Sequence, residues 1–474
     1  MSDHLEAGMN PASAQRRFFA PLAFLPEGWA RDVVMTVDAQ GNFSGIDRDC
    51  ALPPNGTHRL DGYVLPGMVN AHSHAFQRAM VGLTQMAGPG ADNFWSWRTL
   101  MYALAARLTP GQFERIAAWV YTEMLRGGYT HVCEFHYLHN DVDGSPYADP
   151  AELSRAVLRA AAKVGIGVTL LPVLYMASGF GGTPPRAEQR RFVSTPDRLL
   201  EVIRVLGAEG SVLGMVNFGL APHSLRAVPP AALGEAVAAL HALRPDAPVH
   251  IHIAEQSGEV DACVEWSGCR PVHWLLENAA LDRRWNLVHA TQMVRAETRA
   301  VAAANATVVL CPTTEADLGD GIFPYGDYAS AKGKWAIGTD SQVSRDWQSE
   351  LRMLEYSQRL QLRQRNVAAQ TPGASTGQSL FAAALDGGRL ASGLPLGRIE
   401  VGSRADWLEL RPDKLAFAGR LPCHYLDSLI FDHHAPDFAD IVIAGASRRD
   451  ALAGDRYNKA RAEFMGTLKE VGAH

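Results

Sequence analysis

Two kinds of hydrophobic pattern divide the chain into a middle part and two ends. In residues 1–62, Ala30–Val37 and Phe43–Ile46 are short β-type runs that flank the turn-forming residues Ala39–Asn42. The C-terminal part has the same character, with short apolar stretches at Ile399–Val401, Trp407–Leu410 and Ile441–Ile443. Both ends are therefore predicted to be mainly β-structure, with a closing helix over roughly 456–471.

The middle of the chain alternates short apolar strands with amphipathic helices. The helices begin at signals such as Thr109-Pro110 and end at glycines such as Gly127. Eight runs are predicted as strands: Val64–Asn70, His131–Phe135, Val168–Leu174, Val212–Leu220, Val249–Ile253, Asn286–His289, Thr307–Leu310 and Trp335–Gly338. This alternation predicts an α/β fold, a TIM-like (β/α)8 barrel. The alternative, a doubly wound sheet, would need a glycine-rich phosphate loop after the first strand, and the sequence has none.

Composition narrows the class of protein. The 474 residues are 47% hydrophobic and 20% charged, which is typical of a globular protein with a large core. The formal net charge of -6 argues against a nucleic-acid partner, and no apolar run approaches the ~20 residues of a membrane span. The first residues lack the apolar segment of a secretory signal, and the six cysteines form no CxxC pair. A cytoplasmic protein with reduced thiols is therefore expected.

Histidines and one aspartate stand at the ends of several predicted strands. They are His72 and His74 after the first strand, His223 after the fourth, His252 in the fifth, His289 in the sixth and Asp340 after the eighth. Catalytic groups of a (β/α)8 barrel lie where the C-terminal ends of its strands meet. Because residues i and i+2 of an extended segment point the same way, His72 and His74 can converge on one ion. Neutral imidazoles with one carboxylate suit Zn²⁺ with one position open for water.

The first-strand region carries a resemblance to a known family. The run Leu65–His74 resembles the first-strand signature of the amidohydrolase superfamily, and His252, His289 and Asp340 agree with it. The resemblance covers nearly the whole chain. It implies a metal-dependent hydrolase barrel over residues 64–385 and a small β-sandwich domain built from both ends, residues 1–63 and 386–474.

The same resemblance implies the metal ligands. It assigns His72, His74, His252 and Asp340 to a single Zn²⁺ ion per chain, although iron or manganese also occupies sites of this kind. Superfamily members with two metals bridge them through a carboxylated lysine on the fourth strand. Neither candidate for that strand, Val168–Leu174 or Val212–Leu220, contains lysine, so one metal is expected. His250, two residues before His252, is expected to be a core residue.

A closer resemblance suggests the reaction. His74–Met80, followed by Phe94–Arg98, is similar to the formimidoylglutamate deiminases of histidine degradation. These enzymes hydrolyse N-formimino-L-glutamate to N-formyl-L-glutamate and ammonia. The resemblance implies that Asp340 takes a proton from water, that Glu255 protonates the imino nitrogen and the departing ammonia, and that His289 stabilises the charge that develops.

Recognition of such a substrate requires groups for its two carboxylates. Arginine binds a carboxylate through two parallel hydrogen bonds, which favours it in a dry pocket. The resemblance places Arg98, Arg226 and Tyr137 around the acid groups, and Gln77 and His223 at the formimino end or the backbone of the substrate. It also implies a homodimer.

Three alternatives remain open at this point. In the first alternative, the chain is a different deaminase of the same scaffold, acting on guanine, cytosine or a guanidino or other formimino acid. The metal site does not separate these enzymes, because they share it. A non-catalytic barrel is disfavoured because all expected ligands are present. The glycine-rich loop at residues 179–185 is either a mobile lid or a long surface loop.

Overall fold

The computed structural model describes residues 15–88, 90, 92–209, 214–432 and 437–472. The N-terminal segment in which no signal peptide is expected falls largely outside this range. So do the first two residues of the predicted strand Val212–Leu220.

The strands and helices are numbered in chain order. The strands are β1 (Arg16–Leu25), β2 (Gly28–Val37), β3 (Phe43–Asp47), β4 (His58–Arg59), β5 (Tyr63–Pro66), β6 (Met68–Ser73), β7 (Tyr129–His136), β8 (Gly167–Leu174), β9 (Val216–Phe218), β10 (Ala221–Pro222), β11 (Val249–Ile253), β12 (Trp285–His289), β13 (Thr307–Leu310), β14 (Lys334–Ile337), β15 (Trp407–Leu410), β16 (Phe438–Ile443) and β17 (Ala446–Ser447). The helices are α1 (Phe94–Ala105), α2 (Pro110–Arg126), α3 (Glu152–Val164), α4 (Pro196–Ala208), α5 (Pro230–Leu243), α6 (Ser257–Ser267), α7 (Pro271–Asn278), α8 (Arg295–Ala303), α9 (Pro312–Leu318), α10 (Tyr325–Ser330), α11 (Trp347–Leu362), α12 (Thr376–Ser392), α13 (Tyr425–Phe431), α14 (Arg449–Leu452) and α15 (Asp455–Glu470).

Parallel strands in the middle of the chain form the predicted barrel. One sheet runs in the order β10-β8-β7-β6 with β9 paired to β8, and a second runs β11-β12-β13-β14. Two parallel bridges join the sheets, Leu220 to Val249 on one side and Ser73 to Asp340 on the other. The fold is therefore an α/β barrel of the TIM type, and the C-terminal ends of its strands converge at one face.

Local sequence explains the alternation of strands and helices. Thr109 caps α2, because its side chain accepts a hydrogen bond from the Gln112 amide while the Gln112 side chain reaches back to the Thr109 amide. Pro110 then occupies the first helical position, where its missing N–H costs nothing. Gly127 ends the helix, and its backbone approaches Arg345 too closely for a Cβ atom to fit. None of the helices in the described residues is both long and apolar enough to cross a membrane.

Strands from both chain ends form a separate eight-stranded sheet. Its order is β17-β16-β15-β5-β1-β2-β3, with β4 paired to β1. The two ends meet where β5 pairs antiparallel with β15, Tyr63 opposite Leu410. The buried Trp407 packs edge-on against Phe18, with ring centroids 5.0 Å apart. The sandwich arrangement stays a prediction, as do the domain boundaries: β5 begins at the first of them, and α12 runs across the second.

Two predicted strands differ from the structure. Val64–Asn70 is not one strand but parts of two, because Gly67 separates β5 of the outer sheet from β6 of the barrel. A Cβ at Gly67 would lie 2.4 Å from the side chain of Thr130, so only glycine allows this crossing. Ile399–Val401 is not a strand. The chain turns there, with positive φ at Gly397 (71°) and Gly402 (88°), although Ile399 is buried.

Candidate metal centre and active site

Three histidine rings and one carboxylate meet at the C-terminal face of the barrel. His72 lies in β6, His74 directly follows it, and His252 lies in β11. The Nε2 atom of His72 is 3.1 Å from the Nε2 atoms of both His74 and His252. Asp340, which follows β14, places Oδ1 3.5 Å from His72 Nε2 and 3.4 Å from His74 Nε2. The structure thus gathers the four predicted ligands, all of them buried, around one point.

The other ring nitrogens show which atoms present lone pairs. Nδ1 of His74 lies 2.9 Å from the carbonyl oxygen of Phe135, and Nδ1 of His252 lies 3.1 Å from that of His223. Because a carbonyl oxygen only accepts, each Nδ1 carries the proton and each Nε2 has a lone pair. Nε2 of His72 faces both of these Nε2 atoms and can donate a hydrogen bond to at most one of them. At least one pair of nitrogen lone pairs is therefore left in repulsive contact. A cation at this point would replace that repulsion with coordination bonds.

Burial also sets the charge of these four groups. It lowers the pKa of His72 to about 3, and it lowers the pKa values of His74 and His252 below the usual range of histidine. Burial acts upward on the pKa of Asp340, but the hydrogen bond to His72 and the electrostatic effects of His72, His74 and His289 together outweigh it, and the pKa falls below its ordinary value. Near neutral pH the imidazoles are neutral and the carboxylate is ionised. These are the states in which such groups bind a divalent cation.

The backbone at two strand ends is held in a rarely used conformation. His289 and Asp340 have φ values of 66° and 44°, in the left-handed region that L-residues avoid. Each such residue costs on the order of 1–3 kcal/mol, so the surroundings must hold it. The amide of Asp340 donates to the carbonyl oxygen of His72 at 3.0 Å, and the amide of His74 donates to that of Asp340 at 3.1 Å. These bonds link the ligands of the first and last barrel strands directly.

His289 connects the four clustered groups with Glu255. Its Nε2 lies 3.7 Å from Glu255 Oε1 and 3.8 Å from Asp340 Oδ2, and its Nδ1 lies 3.3 Å from Glu315 Oε1. Burial lowers the pKa of His289, but the surrounding carboxylates, Glu255 first, raise it to about 10. His289 is therefore a cationic donor, unlike the three neutral rings. Burial raises the pKa of Glu255 to about 7, where a carboxyl group can both give and take a proton.

Glu259 supports this corner of the site and was not predicted from the sequence. Its carboxylate accepts hydrogen bonds from the amides of Ala254 (3.3 Å) and Glu255 (3.2 Å). Its Oε2 also lies 3.9 Å from Nη2 of Arg226. One buried carboxylate therefore positions both a candidate acid and a candidate substrate-binding arginine. Its only signal in the sequence is an acid in the first turn of α6.

Two arginines line the same cleft as these groups. The Arg98 guanidinium lies 4.4 Å from the ring centre of Trp95 and 5.4 Å from that of Tyr102, and Arg226 lies 5.9 Å from Trp95. Burial lowers the pKa of Arg98, and the nearby charge of Arg226 lowers it further. The buried Nε of Arg226 has no hydrogen-bond partner among the described residues. Two cations confined this closely favour an anionic ligand between them.

The cleft that these groups line encloses about 580 Å³, including its open mouth. Every predicted site residue except His72 lines it, and His72 lies beneath it. Gln77 Nε2 donates to the hydroxyl of Tyr137 at 2.9 Å, and the buried Oε1 of Gln77 has no partner in the described structure. Aromatic rings form much of the remaining wall: Phe94, Trp97, Tyr102, Tyr175 and Phe192.

Two more residues near the site, Tyr175 and Asp320, were not predicted from the sequence. Tyr175 directly follows β8, so its strand-end position could have identified it. Asp320, buried beside Glu255 and His289, follows α9 rather than a strand, and no pattern marks it.

His250 is a core residue, as expected, with Nε2 2.9 Å from the carbonyl oxygen of Ala391. In the loop at 179–185, Phe180 stacks on Trp266 at 5.3 Å, and a lid role stays a prediction.

Comparison with known proteins places the chain among amidohydrolases. A formimidoylglutamate deiminase from Pseudomonas aeruginosa is 49% identical over 454 residues, which are 96% of this chain and 99% of that protein. A crystal structure of an amidohydrolase from Brucella melitensis is 42% identical, with a TM-score of 0.88 over 96% of this chain and all of that chain (100%).

A more distant structure shares the fold alone. An adenosine deaminase from Xanthomonas campestris with bound zinc is 22% identical, with a TM-score of 0.77 over 97% of this chain and 98% of that chain. Residues 63–442 match the amidohydrolase family, a span that contains β6 to β14 and every ligand and acid described above. The chain belongs to the amidohydrolase family.

Proposed function

We propose that this chain hydrolyses N-formimino-L-glutamate to N-formyl-L-glutamate and ammonia. The observation that carries the proposal is that Arg98 and Arg226 line the same cleft as Glu255 and the histidine cluster. That combination suits a substrate that carries carboxylates as well as a hydrolysable C=N bond. The 49% identity to a formimidoylglutamate deiminase supports the same reaction.

One Zn²⁺ ion is proposed at His72, His74, His252 and Asp340. Three nitrogen donors with one oxygen donor form a set that zinc prefers, with a position left for water. When bound, zinc lowers the pKa of water to about 7, which supplies a nucleophile near neutral pH. A single ion is proposed because no lysine lines the cleft in the residues that the structure describes.

The side chains of the site account for the proton movements. Asp340, ionised at neutral pH, accepts a proton from the water that attacks the formimino carbon. Glu255, with its pKa near 7, donates a proton to the imino nitrogen as that carbon becomes tetrahedral. The cationic His289 lies between these two carboxyl groups and stabilises negative charge on the new oxygen. The new hydroxyl then gives its proton to Glu255, which passes it to the nitrogen. The carbon–nitrogen bond breaks, ammonia leaves, and the proton held by Asp340 returns to Glu255.

The substrate acids are assigned to the two arginines. Arg98 and Arg226 hold the two carboxylates, and the hydroxyl of Tyr137 adds a hydrogen bond. Gln77 and His223 also line the cleft and are assigned to the formimino group or the substrate backbone. A guanine or cytosine deaminase on this scaffold is the alternative. Neither base carries a carboxylate, so neither would supply an anion to the two arginines.

Product analysis tests the proposal. The zinc-loaded protein is expected to convert N-formimino-L-glutamate into N-formyl-L-glutamate and ammonia in a one-to-one ratio, followed by proton NMR and an ammonia assay. Removal of the metal with a chelator should stop the reaction, and added Zn²⁺ should restore it. Absence of N-formyl-L-glutamate with the zinc-loaded protein would overturn the proposal.

Localisation, oligomeric state and domain organisation are also proposed. A cytoplasmic enzyme is proposed because the composition and cysteine pattern favour a reducing compartment. A homodimer follows from the resemblance to its family. The sandwich domain is supported by a second cluster of buried residues, which joins β1, β2 and β15 through Leu25, Val33 and Trp407. We propose residues 64–385 as the hydrolase barrel between the two parts of that domain.

A further inference from the structure

A second group of metal-binding side chains lies outside the catalytic cleft. Cys269 comes just before α7, and His273 and Glu277 lie on successive turns of that helix. The Sγ of Cys269, a ring nitrogen of His273 and a carboxylate oxygen of Glu277 all lie within 4.8 Å of one another. None of the three lines the cleft, and the proposed reaction uses none of them.

We propose that Cys269, His273 and Glu277 form a second, peripheral Zn²⁺ site. Thiolate, imidazole and carboxylate are the three kinds of protein ligand that zinc takes, and a thiolate disfavours Mg²⁺ and Ca²⁺. Zinc bonds of about 2.0–2.3 Å place tetrahedral ligands roughly 3.3–3.8 Å apart. The three donor atoms lie within 4.8 Å of one another, so small side-chain rotations are enough to bring them to bonding distance.

The backbone that carries the three donors is already fixed. His273 and Glu277 are four residues apart on one helix face, and His273 Nε2 lies 3.1 Å from a Glu277 carboxylate oxygen. The amide of Cys269 donates to the hydroxyl of Ser267 at 3.1 Å, and that hydroxyl donates to the Cys269 carbonyl oxygen at 3.2 Å. Pro271 begins the helix. Little conformational freedom is therefore lost when an ion binds.

The surroundings of the group leave room for an ion. The side chains of His273 and Glu277 are 54% and 56% exposed, and Cys269 is half-buried, so an ion reaches them from solvent. The nearest cation on the same segment, Arg270, is paired with Glu297 at 3.3 Å and donates to the carbonyl oxygen of Gln292. Its charge is therefore partly neutralised. Three protein ligands leave a fourth position for water.

Cobalt provides a test that does not depend on catalysis. Co²⁺ bonded to a thiolate gives a charge-transfer band in the near ultraviolet, and the ligands proposed for the catalytic metal include no thiolate. Titration with Co²⁺ of the thiol-reduced protein, dialysed so that it carries only the one zinc of the catalytic site, should therefore produce this band and saturate at one equivalent. The Cys269→Ser variant should lose the band, and His273→Gln should weaken Co²⁺ binding about tenfold or more.

Matched controls separate this site from other thiols. Cys423→Ser removes an exposed cysteine elsewhere and should leave the band unchanged. Retention of the catalytic zinc by Cys269→Ser would show that the variant is folded. A wild-type protein without the band would overturn the proposal. So would a band that survives in Cys269→Ser, because another thiol would then be its source. Neither result bears on whether N-formimino-L-glutamate is the substrate.

Discussion

The Nε2 atoms of His72 and His252 lie 3.1 Å apart, although 180 positions separate the two residues in the sequence. His72 is on the first barrel strand and His252 on the fifth, so only closure of the barrel brings them together. The His252 ring is oriented by its Nδ1, which faces the His223 carbonyl oxygen. This geometry concentrates lone pairs at one point, and the predictions below depend on it.

Removal of one ligand histidine ring should cause the protein to lose its bound metal. His252→Ala is expected to reduce bound zinc from about one ion per chain to a small fraction, because a site with three ligands left binds far more weakly. Metal analysis of the dialysed protein measures this. His250→Gln, on the same strand but directed into the core, is the matched control and should keep its zinc. Equal zinc content in the two variants would refute the ligand assignment.

Glu255 should act on turnover rather than on binding. Glu255→Gln keeps the size of the side chain but cannot exchange a proton, so kcat should fall by about 10²–10⁴-fold with a much smaller change in KM. Steady-state ammonia release measures both constants. Glu265→Gln, at an exposed position on the helix that follows Glu255, should match wild type. A variant at Glu255 with near-normal kcat would remove it from the proton pathway.

The two arginines should determine affinity for the acid groups. Arg98→Met and Arg226→Met each remove a charged hydrogen-bond donor worth roughly 1.5–3 kcal/mol, so kcat/KM should fall about 10- to 150-fold. The effect should appear mainly in KM. Arg107→Met, an exposed arginine beyond the end of α1, provides the control and should be neutral. If either cleft variant behaves like the control, that arginine does not bind a carboxylate.

The stability of the protein should depend on pH through Glu350. This carboxyl group is fully buried beside Thr313, and burial raises its pKa from 4.5 to about 8. Between those values the unfolded chain has released the proton while the native chain keeps it. Rising pH therefore destabilises the native state by about 1.4 kcal/mol per unit in this window.

Glu350→Gln tests that relationship, since glutamine cannot ionise and still accepts a hydrogen bond from Thr313. The Tm of the variant should exceed that of wild type increasingly from pH 5 to pH 8, and the gap should close below the unfolded pKa. Thermal unfolding across this range measures it, with the exposed Glu235→Gln as a variant that should follow wild type. Parallel curves for Glu350→Gln and wild type would contradict the assigned ionisation.

Strand-end positions allowed much of the fold and site to be predicted from the sequence. The pattern placed His72, His289 and Asp340 near one face, because barrel topology fixes where strands end. The pattern could not place groups whose role depends on tertiary contacts. Glu259 lies within a helix and Asp320 after one, and only packing brings either to the cleft.

The errors in strand assignment have a physical cause as well. Val64–Asn70 reads as one apolar run, because both sheets bury their strands and hydrophobicity alone does not show where the chain passes between them. The crossing is set at Gly67 by the approach of Thr130, a contact across 63 positions that local pattern does not encode. Ile399 is buried in a turn. An apolar residue buried in a turn gives the same hydrophobic pattern in the sequence as one buried in a short strand.

The most direct test of the central claim is a comparison of kcat/KM across candidate substrates for the zinc-loaded protein. N-formimino-L-glutamate should exceed guanine and cytosine by about 10⁴-fold or more, because neither base carries a carboxylate for the two arginines. N-formimino-L-aspartate, one methylene shorter, should lie between them, about 10- to 200-fold below the glutamate compound. Ammonia release from guanine or cytosine at rates equal to or above that from N-formimino-L-glutamate would contradict the account.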